Sequence, residues 1–270
     1  MPELGFSADE IMTIAAARQL HNDTVCFVGI GMPSAAANLA RLSHAPQVTL
    51  IYESGTIEAK PDVLPLSIAD SELSETALTV VSIPEMFRYW LQGGRIDVGF
   101  LGAAQIDRFA NINTTVIGDY GKPKTRLPGA GGAPEIATSA KEIFVMLRMG
   151  QRAFMSKLDF VTSLGHGTGG KSRTEAGAQG RGPSRVITDL GILEPHPESR
   201  ELELTSIHPG IAVDQVKAAC GWPLKIAERM VETPLPTNLE LSTLREFKAR
   251  SEAAGTGRPQ KARAVRGAVQ

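Results

Sequence analysis

A glutamate stands where an apolar strand breaks into a Ser-Gly turn, in the string IYESG (51–55). That position predicts Glu53 at the carboxyl edge of a sheet, where α/β folds bind their ligands. Burial at such an edge would strip water from the carboxylate and favour its use as a nucleophile or base. A surface turn residue or a partner in a buried ion pair explains the spacing equally well.

Two glycines, Gly29 and Gly31, lie between a predicted strand and a predicted helix, and Glu53 follows at the end of the next strand. On spacing this resembles a dinucleotide-binding fingerprint, in which an acidic residue about 20 positions on binds the ribose hydroxyls. Ser34 replaces the third glycine, and Pro33 intrudes in the turn. The pattern therefore favours a tight turn that presents backbone N–H groups to some other anion over NAD binding.

A literal P-loop string, GHGTGGKS (165–172), follows the apolar run at 158–164. A P-loop needs a helix directly behind it, and the next residues, RTEAGAQGRGPSR, are too rich in Gly and Pro to predict one. A mobile Gly-rich loop is the favoured interpretation, and a nucleotide-binding enzyme that uses Lys171 is the alternative. We expect His166 to be solvent-exposed, although it could approach a ligand.

Three glycines within four residues, Gly129, Gly131 and Gly132, form a fourth candidate site. Such a run permits positive φ and close approach of the backbone to a ligand, which suits a nest for an oxyanion or a phosphate. Cations that could face phosphates precede it: Lys122, Lys124 and Arg126.

The elements that must position these groups alternate between helix and strand signals. A capping box at Ser7 and Glu10 opens a helix to about Leu20. Further helices are predicted at 33–42, 84–94, 213–220 and 236–250. Strands are predicted at 24–30, 48–53, 76–82, 96–107, 111–119, 142–147, 158–164 and 185–193. The alternation predicts an α/β fold with a largely parallel sheet flanked by helices, in a single domain over residues 1–250.

Composition excludes several classes of protein. The 270 residues carry a formal net charge of −1 and are 42% hydrophobic, which excludes a disordered chain. No run of about 18 apolar residues exists to cross a bilayer, and the charge balance offers no footprint for nucleic acid. Cys26 and Cys220 lie outside any C-x-x-C, which argues against a disulfide framework or a metal site. The first residues lack the pattern of a secretory signal, so we expect a cytoplasmic protein.

Residues 251–270 differ from the rest of the chain. Small residues without a periodic apolar face surround four basic residues and one acidic residue, Glu252. A basic tail could touch an acidic partner, but we expect a disordered, solvated extension.

Six strings taken together resemble the beta subunits of class I CoA-transferases, of the glutaconate-transferase type. The similarity covers about residues 8–250. The strings are GIGMPSAAANLA (29–40), IYESG (51–55), KPDVLPLSIAD (60–70), GGRIDVGFLGAAQIDRFANINTTVIGDY (93–120), KTRLPGAGGAPEIA (124–137) and VITDLGILEP (186–195).

This resemblance implies a CoA-transferase (NagB/RpiA-like) fold and assigns roles to the candidate residues. Glu53 falls on the family's covalent nucleophile, and the turn containing Gly131 and Gly132 would supply the oxyanion donors. The retained glutamate favours transfer over the decarboxylation or hydrolysis of relatives that lack it. The remaining candidates would contact substrate or CoA: Gly29, Gly31, Ser54, Gly55, Gly129, Lys122, Lys124 and Arg126.

The implied reaction moves CoA from succinyl-CoA to 3-oxoadipate, late in aromatic-compound degradation, through a glutamyl-CoA thioester. Glutaconate or another dicarboxylate is the alternative acceptor, and a non-catalytic supporting subunit is a third possibility. The resemblance implies coenzyme A esters as substrates, no permanently bound cofactor and no metal. It also implies an alpha-subunit partner, in an αβ or α2β2 assembly, because the alpha-type G-x-G-G-F signature is absent from this chain.

Overall fold

The computed structural model describes residues 4–257. Its strands are β1 (Val25–Val28), β2 (Thr49–Tyr52), β3 (Thr56–Ile57), β4 (Thr79–Val80), β5 (Val98–Gly102), β6 (Gln105–Ile106), β7 (Ile112–Asn113), β8 (Val116–Gly118), β9 (Pro123–Arg126), β10 (Glu142–Met146), β11 (Pro183–Ile187), β12 (Gly191–Pro195), β13 (Leu202–Ile207) and β14 (Lys225–Glu232). Its helices are α1 (Ala8–Ala17), α2 (Met32–Leu42), α3 (Ser71–Glu75), α4 (Ile83–Glu85), α5 (Ala133–Ser139), α6 (Ser172–Glu175), α7 (Val213–Ala219) and α8 (Asn238–Gly257), and a π-helical turn (Met86–Leu91) continues α4.

Ten strands form one sheet in the order β14-β13-β12-β11-β10-β5-β1-β2-β3-β4. The central five strands, from β11 to β2, run parallel, whereas antiparallel strands extend the sheet on both sides. Four of these strands, β1, β2, β5 and β10, are short and mostly apolar, as expected when both faces of a sheet are covered, whereas β11 also carries Ser184 and Arg185. The predicted α/β class with a largely parallel sheet is confirmed.

Successive residues of the central strands enter two different cores, one on each face of the sheet. Cys26 and Val28 pack into a core with α1, α2 and α8, whereas Phe27 packs into a second core with α5 and the π-helical turn. This follows from the two-residue period of a strand. Both cysteines are buried and unpaired, and burial raises the pKa of the Cys220 thiol to about 11. They are inert core residues, as the sequence predicted.

Two predicted strands are wrong. The run 158–164 is a loop in which Asp159 and Thr162 accept hydrogen bonds from the backbone amides of Gly118 and Thr114, at 2.9 Å each. Polar side chains therefore replace a strand ladder there, apart from one isolated bridge at Ser163. The run 185–193 bends at Thr188, whose hydroxyl donates to the Gly191 carbonyl at 2.7 Å, and becomes the antiparallel pair β11 and β12.

Other boundaries also differ. The predicted strands 96–107 and 111–119 are each broken into two short strands, and β13 and β14 were not predicted. Helix α8 continues seven residues past the predicted end at 250, so the start of the predicted tail is helical. The rest of that tail, residues 258–270, lies outside the described residues. None of the helices within residues 4–257 combines the length and apolar character that a bilayer-spanning segment needs.

The predicted capping box begins α1 and also ties this helix to α8. The Glu10 carboxylate accepts from the Ser7 amide at 2.8 Å and from Arg245 Nε at 2.7 Å. The Arg245 guanidinium, together with the Ser7 bonds, lowers the pKa of Glu10 from 4.5 to about 2. Because the folded-state pKa is below the unfolded one, this stabilisation is present above about pH 4.5 and is lost as the pH falls towards 2.

Replacement of this carboxylate, Glu10→Gln, should therefore lower the free energy of unfolding by on the order of 1 kcal/mol at neutral pH. The difference from wild type should shrink between pH 4.5 and 2, as measured by urea unfolding at a series of pH values. Glu75→Gln, an exposed carboxylate at the end of α3, is the control and should show no such trend. A deficit that stays constant down to pH 2 would contradict the assignment.

Candidate active site

A cavity of about 390 Å³ opens at the carboxyl ends of β1, β2, β5 and β10. Of its lining side chains only Glu53 is charged. The lining residues are Phe27, Val28, Gly29, Ile30, Met32, Pro33, Glu53, Ile68, Phe100, Leu101, Gly102, Ala130, Gly131, Gly132, Ala133, Ile136 and Met146. The site is an apolar cleft built around one carboxylate.

The topology of the sheet explains this position. After β1 the chain crosses to β2 on one side, and later strands, β5 and then β10, add on the other side of β1. The strand order therefore reverses at β1. Loops that leave the strands in opposite directions open a crevice at such a point, outside the carboxyl ends of the strands.

Two buried neighbours fix the Glu53 turn. Tyr52 is fully buried, and its hydroxyl lies 3.0 Å from Ser34 Oγ and accepts from Asn38 Nδ2 at 3.2 Å, which ties the end of β2 to α2. On the other side, Gly55 has φ of +97°, and its carbonyl accepts from the Val81 amide at 2.9 Å. A Cβ at Gly55 would stand 2.0 Å from the Val81 carbonyl oxygen, so only glycine fits. Glu53 is half-buried between these two fixed points.

The predicted glycine nest meets Glu53 directly. A Cβ added to Gly132 would stand 2.8 Å from Glu53 Oε1, so the backbone of this residue lies against the carboxylate. Neither the Gly131 nor the Gly132 amide donates to an acceptor within residues 4–257. Two amides without protein acceptors beside a carboxylate could stabilise an oxyanion that forms there. The structure thus brings Glu53, Gly131 and Gly132 to one cavity, and their catalytic roles stay predictions.

The other predicted residues divide into two groups. Gly29 lines the cavity, while Gly31, at φ of +86°, begins α2 and does not line it. Ser54, Gly55 and Gly129 belong to the turns that carry the lining residues and do not line the cavity themselves. Ser54 Oγ is buried without a hydrogen-bond partner within the described residues.

The predicted cations Lys122, Lys124 and Arg126 are not part of this cavity. They are exposed on the hairpin of β8 and β9. Arg126 donates to the Tyr120 carbonyl at 2.8 Å, and its guanidinium lies 4.7 Å from the centre of the Tyr120 ring. Any contact of these cations with CoA would take place outside the cleft.

The P-loop string does not form a phosphate cradle. Seven of the eight backbone amides in 165–172 already donate within the protein; Gly165 and Gly167, for example, both donate to Asn111 Oδ1. The expectation that His166 is exposed is wrong, because this side chain is buried and its Nε2 lies 2.8 Å from the Pro183 carbonyl oxygen. Burial also lowers the pKa of His166, which favours the neutral form that donates this bond.

Arg173 holds this loop in place. Its guanidinium is buried and donates four hydrogen bonds to backbone carbonyls, those of Gly180, Leu164, Gly165 and Ala137, at 2.6 to 3.1 Å. Burial lowers its pKa to about 10, so it stays charged at neutral pH. The Gly-rich loop is a folded structural element, and α6 behind it has only four residues.

Comparison with known proteins agrees with this geometry. The Coenzyme A transferase family model matches residues 9–219. The chain belongs to the coenzyme A transferase family. It is 62% identical to the B subunit of 3-oxoadipate CoA-transferase from Pseudomonas knackmussii over 249 residues, which are 92% of this chain and 96% of that protein. The predicted family resemblance is confirmed.

Glutaconate CoA-transferase is a second relative, by sequence and by structure. The B subunit of the Acidaminococcus fermentans enzyme is 33% identical, over 87% of this chain and 91% of that one. The crystal structure of glutaconate coenzyme A-transferase from the same organism superimposes with a TM-score of 0.85 at 31% identity, over 90% of this chain and 95% of the other. The predicted CoA-transferase fold is thereby confirmed.

Sequence reasoning missed several residues of this candidate site. Phe87 Cζ and Glu53 Oε1 lie 2.7 and 2.8 Å from the point where a Cβ of Gly132 would stand, and Phe27 and Phe100 line the cleft. Tyr52, although part of the IYESG string, gave no sign of its buried contacts with α2. The apolar runs that contain these side chains were visible, but which face of the sheet each one occupies depends on strand order.

The contact at Gly132 generates a prediction for CoA transfer. Its φ of −82° suits alanine, so Gly132→Ala adds a methyl group without backbone strain. That methyl group would stand 2.7 Å from Phe87 Cζ and 2.8 Å from Glu53 Oε1, so the carboxylate must move. Because a misplacement of about 1 Å can cost roughly 100-fold, we expect a loss of that order in the rate of transfer.

The measurement is steady-state transfer between an acyl-CoA and a carboxylic acid, with circular dichroism to verify folding. Gly150→Ala is the matched control, since a Cβ there meets nothing within 4 Å and its φ is not positive. Equal rates for the two variants would show that Gly132 does not constrain the Glu53 carboxylate.

Proposed function

We propose that this chain is the glutamate-bearing β subunit of a CoA-transferase that moves CoA from succinyl-CoA to 3-oxoadipate. The observation that supports it most is the Glu53 carboxylate, the single charged side chain in the lining of the cleft, set against the amides of Gly131 and Gly132. The relative from Pseudomonas knackmussii, which belongs to a 3-oxoadipate CoA-transferase, supports the choice of acceptor.

The first half of the reaction loads Glu53. A carboxylate oxygen attacks the thioester carbonyl of succinyl-CoA, the C–S bond breaks, and a mixed anhydride and CoA thiolate result. The thiolate then attacks the Glu53 carbonyl carbon, and the C–O bond to succinate breaks. Glu53 becomes a CoA thioester, and succinate leaves. A carboxylate suits this role because its acyl derivatives are reactive enough for the step to be reversed.

The second half repeats these steps in reverse with the acceptor acid. Its carboxylate attacks the Glu53 thioester, CoA thiolate leaves, and the thiolate attacks the acceptor's carbonyl in the new anhydride. Free Glu53 and the product acyl-CoA are released. Each tetrahedral intermediate carries an oxyanion, and we assign its stabilisation to the Gly131 and Gly132 amides.

A partner of the α-subunit type completes the proposal. Both relatives are the B subunits of their enzymes, which implies an assembly with a second kind of chain. Beside the cleft, Leu78, Val80 and Ile83 are 74%, 55% and 53% exposed. They flank Val81, which contacts Gly55, and β4 is an edge strand that pairs only with β3. An exposed apolar edge next to the nucleophile is the surface we assign to that partner.

Covalent loading provides the direct test. Purified αβ complex incubated with succinyl-CoA should gain the mass of CoA less one water, on the peptide that contains Glu53. Glu53→Gln should abolish the adduct and lower transfer by more than about a thousand-fold. Glu58→Gln is the control, because that carboxylate is paired with Lys60 on the surface and should keep both properties. An active wild-type complex without an adduct on this peptide would refute the nucleophile assignment.

Choice of acceptor needs a separate measurement, because the glutaconate relative covers most of the chain. We expect kcat/KM for 3-oxoadipate to exceed that for glutaconate in the reconstituted complex with succinyl-CoA as donor. The reverse order would leave the Glu53 chemistry intact and assign a glutaconate-type activity.

A further inference from the structure

Phe87, on the π-helical turn, approaches the same face of Gly132 as the Glu53 carboxylate. The point where a Cβ of Gly132 would stand is 2.7 Å from Phe87 Cζ and 2.8 Å from Glu53 Oε1. On its other side, the Phe87 ring meets Phe27 edge to face, with centroids 6.2 Å apart and an interplanar angle of 69°. The tip of the Phe87 ring and Glu53 Oε1 therefore border the same point above Gly132.

The π-helical turn sets the position of this ring. The Gln92 amide donates to the Phe87 carbonyl at 2.8 Å, a bond from i+5 to i. Met86 and Leu91, which are also five residues apart, are both fully buried. In a regular α-helix such residues point about 140° apart, so they could not share one buried face. The wider turn therefore anchors two side chains in the core, and it fixes the backbone that carries Phe87.

The proposed chemistry places a strict demand on this part of the cleft. While the first acid leaves and the second enters, Glu53 is a reactive thioester. If water attacks its carbonyl carbon instead of the acceptor carboxylate, the C–S bond breaks, CoA leaves as the thiol with a proton from water, and the Glu53 carboxylate is regenerated. The free energy of the donor's thioester bond is then released without transfer of CoA. A transferase must therefore exclude water from this carbon.

We propose that Phe87 is a positioning residue that excludes water from the acyl carbon of Glu53 during transfer. Its ring borders the point above Gly132 that Oε1 also borders, and it packs edge to face on Phe27, which lines the cleft, so the two rings form an apolar wall on this side of the carboxylate. The inference rests on the function proposed above, because it needs the glutamyl-CoA thioester. It assigns to the π-helical turn a role in the ratio of transfer to hydrolysis.

The experiment measures two rates in the αβ complex loaded with CoA from succinyl-CoA. One is the loss of the adduct in the absence of acceptor acid, followed by mass spectrometry, and the other is transfer to 3-oxoadipate. Phe87→Leu replaces the ring with a shorter apolar side chain. It should raise the rate of adduct hydrolysis about tenfold relative to the rate of transfer. Phe87→Tyr keeps the ring and should retain most of the wild-type ratio.

Phe109→Leu is the matched control. Phe109 is also half-buried, and its Cε1 lies 2.7 Å from the point where a Cβ of Gly169 would stand, far along the chain from the nucleophile. That variant should keep the wild-type ratio of transfer to hydrolysis. A loss of packing alone would change both rates of a Phe87 variant together and leave their ratio unchanged.

The outcomes separate the two proposals. If the wild-type complex forms no adduct on Glu53, the proposed function fails. If the adduct forms but Phe87→Leu and Phe87→Tyr both keep the wild-type ratio, the role of Phe87 is refuted and the nucleophile stands. If the Phe87→Leu complex does not assemble, the Phe87→Tyr variant and the wild-type complex still test the inference. A wild-type adduct that hydrolyses as fast in the native complex as after denaturation also refutes the inference.

Discussion

The contact between Gly55 and Val81 is the constraint on which the site depends. With no side chain at Gly55, the Val81 carbonyl comes so close that a Cβ would stand 2.0 Å from it. The chain can therefore leave β2, turn, and pair β3 antiparallel to it within a few residues. Buried Tyr52 fixes the other end of the turn. Glu53 and Ser54 are held between two closely packed residues, so the fold restricts the directions in which the carboxylate can point.

A consequence is that apolar side chains and backbone groups, rather than other charged side chains, surround the Glu53 carboxylate in the described cleft. Apart from Glu53, the cleft is lined by apolar side chains and glycines. Oxyanions that form in such a site gain from fixed amide dipoles, since few mobile waters compete for them. The described lining side chains offer no positive charge to an acid substrate. Under the proposed function, recognition of a second carboxylate therefore falls to backbone amides or to residues outside this cleft.

How far the sequence predicts this arrangement depends on the range of the contacts involved. Local signals were sufficient for the capping box of α1, for β1 and β2, and for Glu53 at the sheet edge. They failed at 158–164, because this apolar run forms a loop instead of a strand. Its side chains accept hydrogen bonds from the amides of Gly118 and Thr114 in place of strand pairing. The burial of His166 was not predicted, because the loop that carries it is held by hydrogen bonds from Arg173 to backbone carbonyls. One of these carbonyls, that of Ala137, is distant in sequence. The family resemblance, rather than periodicity, supplied the role of Glu53.

The two glycine-rich strings differ in whether their backbone amides are already bonded within the protein. At Gly165, a Cβ would stand 2.2 Å from the backbone of Ala110, and nearly all amides of 165–172 already have acceptors within the protein. There, glycine permits the backbone to pack against itself. At 129–132 the Gly131 and Gly132 amides have no acceptor within the described chain, and a carboxylate lies beside them. The composition of the two strings is similar, so the decisive property is which N–H groups remain available, and only tertiary structure determines that.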